Sequence, residues 1–183
     1  MHEYIVLLRG INISGKNKIS MSELKKYLEL MNYTDVKTYL NSGNIIIKSI
    51  ISSESIIASN INKMISEKFL INVPVYVISS DKLKDILLNA PDWWKNRSKE
   101  YYYNIIFIIP PMNITRILTS LGDVNQSYEK IQIYNDVIFW MYELKNYRKT
   151  NWWSKSASID ERDSITIRTG NTITKLMTMC NVK

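Results

Sequence analysis

Apolar residues recur along this chain with two periods, and the switches between them mark out its elements. Residues 4–9, Tyr4-Ile5-Val6-Leu7-Leu8-Arg9, are a short apolar run that reads as a buried strand. Ser20 and Glu23 then form an S-x-x-E capping box. Met21, Leu24, Tyr27, Leu28 and Met31 follow at helical spacing, which predicts an amphipathic helix of about three turns. Residues 36–40 and 45–48 are β-rich and flank Asn41-Ser42-Gly43-Asn44, where Gly43 can supply the positive φ of a tight hairpin. A second helix is expected over 54–70, with Ile57, Ile61, Met64, Ile65 and Phe69 on one side. A strand over 75–78 follows Pro74. The order is β-α-β-β-α-β, the split-βαβ arrangement.

The same order returns after a connecting helix over 81–88, whose end is read at Ala90-Pro91-Asp92-Trp93-Trp94. Residues 102–109 read as a strand stopped by Pro110-Pro111. Asn113 can cap a helix carrying Ile114, Ile117, Leu118 and Leu121, with Gly122 at its end. Residues 128–134 and 137–142 pair across Asn135-Asp136. The pattern over 145–157 is ambiguous. Residues 165–168 suit a short strand, and 172–180 a last helix bearing Ile173, Leu176, Met177 and Cys180. The expected fold is therefore α+β: two ferredoxin-like α-β plaits with mixed or antiparallel sheets and helices on one face. The first spans 1–79, the second 101–183, and 80–100 connects them. The halves show no sequence self-similarity.

Composition narrows the chemistry. At 183 residues, with 45% hydrophobic and 22% charged residues, the chain can bury a full core. No apolar run approaches the roughly 18 residues of a membrane span. Met1-His2-Glu3-Tyr4 does not open a signal peptide, so a cytoplasmic protein without membrane partners is expected. The one cysteine, Cys180, excludes an internal disulfide and a cysteine-based zinc cluster. The one histidine, His2, lies at the chain end and is a poor member of a Ser-His or Cys-His pair. No metal site and no cofactor are implied. The formal charge of +7, from 24 Lys+Arg against 17 Asp+Glu, suits an anionic partner. An AT-rich genome, with its excess of Ile, Asn and Lys codons, produces the same balance.

One loop could carry function. Gly10, Gly15 and Lys16 match most of G-x-x-x-x-G-K-[ST], but Asn17 replaces the magnesium-binding hydroxyl. The capped helix also begins at Ser20, later than a P-loop requires, and a hairpin follows where that motif needs a parallel sheet. What survives is a basic loop without acids. Arg9, Lys16 and Lys18, with Gly10, Asn12, Gly15 and Asn17, precede a helix N-terminus, where N–H groups and the helix dipole favour an anion. Loop geometry alone also accounts for the two glycines. Arg168, Thr169, Asn171 and Thr172 precede the last helix in the same way, with Thr169 or Asn171 as its cap. Facing one cleft, Arg9, Lys16, Lys18 and Arg168 would make one positive pocket. A second basic stretch, Lys145-Asn146-Tyr147-Arg148-Lys149-Thr150-Asn151-Trp152-Trp153-Ser154-Lys155, has the composition of a single-strand-binding face. Trp152-Trp153 and Trp93-Trp94 equally suit packing between domains or a dimer surface. Asp160-Glu161-Arg162-Asp163 reads as a solvated turn.

Three motifs carry a resemblance. Tyr4-Ile5-Val6-Leu7-Leu8-Arg9-Gly10-Ile11-Asn12-Ile13-Ser14-Gly15-Lys16-Asn17-Lys18-Ile19-Ser20-Met21 resembles the opening signature of a bacterial family known as a domain of unknown function, number 1697. Tyr39-Leu40-Asn41-Ser42-Gly43-Asn44 is similar to its second motif. Thr166-Ile167-Arg168-Thr169-Gly170-Asn171-Thr172 is similar to its C-terminal one, where the family more often has Arg-Asn than Arg-Thr-Gly. The resemblance implies two α-β plaits and brings no activity. Two readings stand. The first is a binding protein or enzyme for a phosphate-bearing small molecule, using Arg9, Gly10, Asn12, Gly15, Lys16, Asn17 and Lys18, with Arg168 and Asn171. The second is a non-catalytic interaction or oligomerisation module, or a weak nucleic-acid binder. Monomer and homodimer both remain open.

Overall fold

The computed structural model describes residues 1–158 and 164–180, so the acidic turn at 160–163 lies outside the described residues. The chain forms two compact units, Met1–Lys84 with Thr174–Lys183, and Asp85–Ile173.

The first unit runs β1 (His2–Leu8), α1 (Met21–Leu30), β2 (Thr34–Tyr39), β3 (Asn44–Ser49), α2 (Glu54–Phe69) and β4 (Val75–Ser79). Its sheet has the order β2-β3-β1-β4, and every pairing is antiparallel. Tyr4, Val6 and Leu8 of β1 join Ile45, Ile47, Val75 and Val77 in a core closed by Leu24 and Leu28 of α1 and Ile57, Ile61 and Ile65 of α2. Ile5 and Leu7 point to the opposite face and are also fully buried. Burial on both faces explains why this strand reads as an unbroken apolar run instead of an alternation. Lys37 Nζ donates to the Met179 carbonyl at 3.0 Å, which ties the C-terminal segment to this unit.

β4 leads into α3 (Ser80–Leu88), and a separate turn of helix, α4 (Asp92–Lys95), begins after Pro91. The second unit continues with β5 (Tyr101–Ile108), α5 (Ile114–Leu121), β6 (Glu129–Tyr134), β7 (Val137–Glu143), α6 (Trp152–Ser158) and β8 (Ile165–Thr169). Its sheet, β6-β7-β5-β8, is also wholly antiparallel, so the fold is α+β with two four-stranded antiparallel sheets of the same internal order. Ile106, Ile108, Ile138, Trp140 and Ile165 pack against Ile117 and Leu121 of α5 and Trp152 of α6.

The ambiguous stretch 145–157 resolves into a 3-10 turn at Tyr147–Lys149 and the short α6. Only Trp152 and Ser156 of α6 are buried, too few to show a helical stripe in sequence. Tertiary hydrogen bonds hold it instead. The buried Glu129 carboxylate accepts from the backbone N–H groups of Asn151 at 2.7 Å and Asn125 at 2.9 Å, and from Trp140 Nε1 at 3.0 Å. Trp152 Nε1 donates to the Gly122 carbonyl at 2.8 Å and Lys155 Nζ to that of Leu121 at 2.9 Å, which satisfies the C-terminal end of α5. The last helix, α7 (Gly170–Met179), starts two residues before the position its apolar pattern suggests, because Thr169 Oγ1 caps it by accepting from Thr172 N.

The β2–β3 turn depends on Gly43. It has φ +76°, and a Cβ there would lie 2.6 Å from Leu8 Cβ. Gly43→Ala is expected to combine left-handed backbone strain with a clash in the core and to cost about 2–4 kcal/mol in urea unfolding. An unchanged midpoint would contradict this account of the turn.

Candidate functional site

The loop between β1 and α1 is built from the sheet outward. Leu8 N donates to the Gly43 carbonyl at 2.8 Å and Arg9 N to that of Pro74 at 3.0 Å, so the chain leaves the sheet between the hairpin turn and the start of β4. Gly10 then turns at φ +71°. Ile11 and Ile19, 1% and 4% exposed, anchor the two feet of the loop in the core.

Between those anchors, Asn12 acts as a clamp. Its Oδ1 accepts from Ile19 N at 2.9 Å, and its Nδ2 donates to the carbonyls of Ile19 at 3.0 Å and Asn41 at 2.8 Å. Asn12 N also donates to the Asn17 carbonyl at 3.1 Å, while Asn17 Nδ2 donates to that of Gly10 at 3.0 Å. At the tip, Lys16 N closes a tight turn on the Ile13 carbonyl at 2.9 Å, with Ser14 and Gly15 both left-handed at φ +48° and +78°. A short polar residue and a glycine are what such a turn demands.

Residues 13–18 are exposed. Among the described residues neither Lys16 nor Lys18 has a carboxylate partner. The N–H groups of Ser14, Gly15 and Lys18 make no bond within the described chain. The start of α1 is already supplied: Ser20 Oγ accepts from Glu23 N at 3.4 Å, and the Glu23 carboxylate stands in the first turn. What this loop offers an anion is therefore its tip and two lysines, with little left of the helix dipole.

Gly10, Asn12, Gly15, Lys16, Asn17 and Lys18 thus lie in one hydrogen-bonded loop, entered through the half-buried Arg9. Within it, Asn12 and Asn17 serve architecture. Arg168 and Asn171 belong to the second unit. Arg168 Nη1 donates to Thr166 Oγ1 at 2.8 Å and to the Ile167 carbonyl at 2.9 Å, so its guanidinium lies along its own strand. Asn171 Oδ1 accepts from Arg97 Nη1 at 3.3 Å. Arg97 itself lies over the Trp94 ring at 5.0 Å and donates Nε to the Trp94 carbonyl at 3.1 Å. Burial draws its guanidinium below the ordinary arginine pKa. Neither Arg97 nor Glu129 stood out in the sequence, where each is an isolated charge with no motif around it.

The tandem tryptophans at 152 and 153 divide. Trp152 is fully buried and Trp153 is 44% exposed. Of the tyrosines that could display rings on the second sheet, Tyr103 is buried, Tyr102 is 44% exposed, and Tyr134 donates its hydroxyl to Asp85 at 2.9 Å. Burial, followed by the nearby Glu3 carboxylate, pushes the Cys180 thiol up to about 12, so it remains protonated and unreactive near neutrality. Among the described residues no group of His, Cys, Asp and Glu could hold a metal ion, and no helix is long and apolar enough to cross a membrane.

Residues 1–139 match the family model described as a protein of unknown function, DUF1697. The chain belongs to the DUF1697 family. A conserved bacterial protein of Streptococcus pneumoniae, SP0830, is similar to this DUF1697 chain in structure. The two are 25% identical, with a TM-score of 0.86 over 97% of this chain and 98% of that one. No curated protein matches the sequence.

Two buried groups give this DUF1697 chain a predictable alkaline limit. Cys180 rises from 9.0 to about 12, and Tyr142 from 10.0 to about 12, in both cases first through burial. Both hold their protons more tightly when folded, so as pH rises the unfolded chain releases them first. Their contribution is complete below about pH 9 and declines between about 9 and 12. The urea midpoint should fall across that window, less steeply in Cys180→Ala/Tyr142→Phe. Equal slopes in the two proteins would contradict the assignment.

Proposed function

We propose that this protein binds a phosphate-bearing anionic ligand at the tip of the 10–18 loop. The observation that carries the reading is the pairing of two exposed lysines, Lys16 and Lys18, which among the described residues have no acidic partner, with the N–H groups of Ser14, Gly15 and Lys18, unengaged among the same residues, on one internally clamped loop. Successive backbone N–H groups around left-handed residues make concavities suited to anions, and a loop already held in shape loses little entropy on binding. Lys16 and Lys18 supply charge, and Asn12 and Asn17 supply shape. The proposal is one of binding and assigns no reaction.

We also read the chain as two ferredoxin-like α-β plaits, residues 1–79 and 101–183 joined by 80–100, with the segment from Thr174 onward packing in the first compact unit. The β-α-β-β-α-β order and the strand order β2-β3-β1-β4, repeated as β6-β7-β5-β8, support this.

A thermal-shift series with inorganic phosphate, nucleoside monophosphates and sugar phosphates tests the loop. A ligand at a hundredfold its dissociation constant adds about 2.7 kcal/mol, enough to raise Tm by several degrees in a chain of this length. The shift should be lost in Lys16→Ala/Lys18→Ala, whose ligand-free Tm should stay at the wild-type value because both side chains are exposed. No shift across the series, or an equal shift in the double variant, would overturn the proposal.

A further inference from the structure

The second unit carries an aromatic ledge that extends outward from its core, with Tyr142 in the core and Tyr147 packed against it. The Tyr102 ring stacks on Tyr142 at 5.5 Å with 24° between planes; Tyr142 contacts Trp153 at 5.8 Å, and Trp153 meets Tyr147 edge-on at 5.0 Å. The inner member, Tyr142, is buried, but Tyr102 and Trp153 are each 44% exposed. The neighbouring Trp152 shows that this segment can bury an indole completely where packing calls for it. Trp153 remains in solvent beside it, within ring contact of two tyrosines.

Cations flank the rings. The Arg148 guanidinium lies 5.5 Å from the centre of the Tyr147 ring, and Arg148, Lys149 and Lys145 are exposed. The nearest acid in sequence, Glu143, accepts a hydrogen bond from Asn146 Nδ2 at 2.5 Å. An apolar protein partner would gain nothing from three surrounding positive charges, whereas a polyanion with planar groups would engage both features. We infer that this ledge binds single-stranded nucleic acid, with bases stacking on Trp153 and Tyr102 and phosphates paired by Lys145, Arg148 and Lys149. The rings require unstacked bases, which selects single strands over duplex. Stacking accepts every base, so little sequence preference is expected.

The test uses the full chain and fluorescently labelled oligo-U and oligo-dT of about twelve nucleotides, long enough to span one such binding face, followed by anisotropy. Binding should weaken about tenfold to twentyfold between about 50 and 200 mM salt if three phosphates are neutralised. Trp153→Ala should weaken it about fivefold or more. Arg148→Gln/Lys149→Gln, at exposed positions, should flatten the salt dependence and provides the decisive comparison should Trp153→Ala fail to fold. Lys16→Ala/Lys18→Ala should bind like the wild type, which separates this surface from the loop of the first unit. The inference is overturned by absence of binding at low salt, or by equal binding of duplex. It is also overturned by unchanged binding in folded Trp153→Ala and unchanged salt dependence in the Arg148/Lys149 variant. Self-association that depends on Trp153, seen by sedimentation without oligonucleotide binding, would instead identify a protein interface.

Discussion

The side-chain amide of Asn12 makes three hydrogen bonds at 2.8 to 3.0 Å, and the candidate site of the first unit takes its shape from them. One amide joins the loop's exit at Ile19 to its entrance and binds both to the hairpin turn at Asn41. The task needs a donor and an acceptor on one short planar group, and few residues qualify. Aspartate lacks the donors, and serine lacks the reach. Asn12 also adopts φ +55°, a left-handed conformation that asparagine tolerates better than most residues. With this clamp in place the loop can remain exposed from 13 to 18 and still present a defined tip.

A similar economy governs the second unit. The Glu129 carboxylate engages two loop N–H groups and one indole, and so fixes where α6 begins. Its removal would leave three donors with only partial access to water, a larger penalty than the loss of any one bond. Because Trp152 is then committed to the core and to the Gly122 carbonyl, the next residue in the helix points outward. The exposed ring of Trp153 is thus a consequence of how α6 is anchored, and its tyrosine and arginine neighbours turn that consequence into a surface.

The strands and the longer helices were legible because each presents a strong local signal: the apolar run of β1, the spacing of Leu24 and Leu28, the glycine of the hairpin turn. Membership in DUF1697 was legible in the motifs at 4–21 and 39–44, which include both the loop and the turn it is clamped to. The helix at 152–158 was not, since its stability comes from residues 22 and more positions away and leaves no period behind. Arg97 was equally silent, as its amide partner, Asn171, lies 74 positions away and nothing in the local sequence marks its stacking on Trp94. Within the 10–18 loop that the sequence singled out, roles could not be assigned from the sequence alone. Asn12 and Asn17 are fixtures, whereas Lys16 and Lys18 are exposed and, among the described residues, have no carboxylate partner.

The central claim is that the loop's conformation comes from the Asn12 clamp, and amide hydrogen exchange in Asn12→Ala tests it most directly. The N–H groups of Ile19 and Lys16 should exchange about tenfold or more faster than in the wild type, given about 1.4 kcal/mol or more of lost local stability. Those of Val6 and Ile46, deep in the first sheet, should be far less affected. Unchanged protection at Ile19 and Lys16 would mean that the loop holds its shape without the amide, and the account would be wrong.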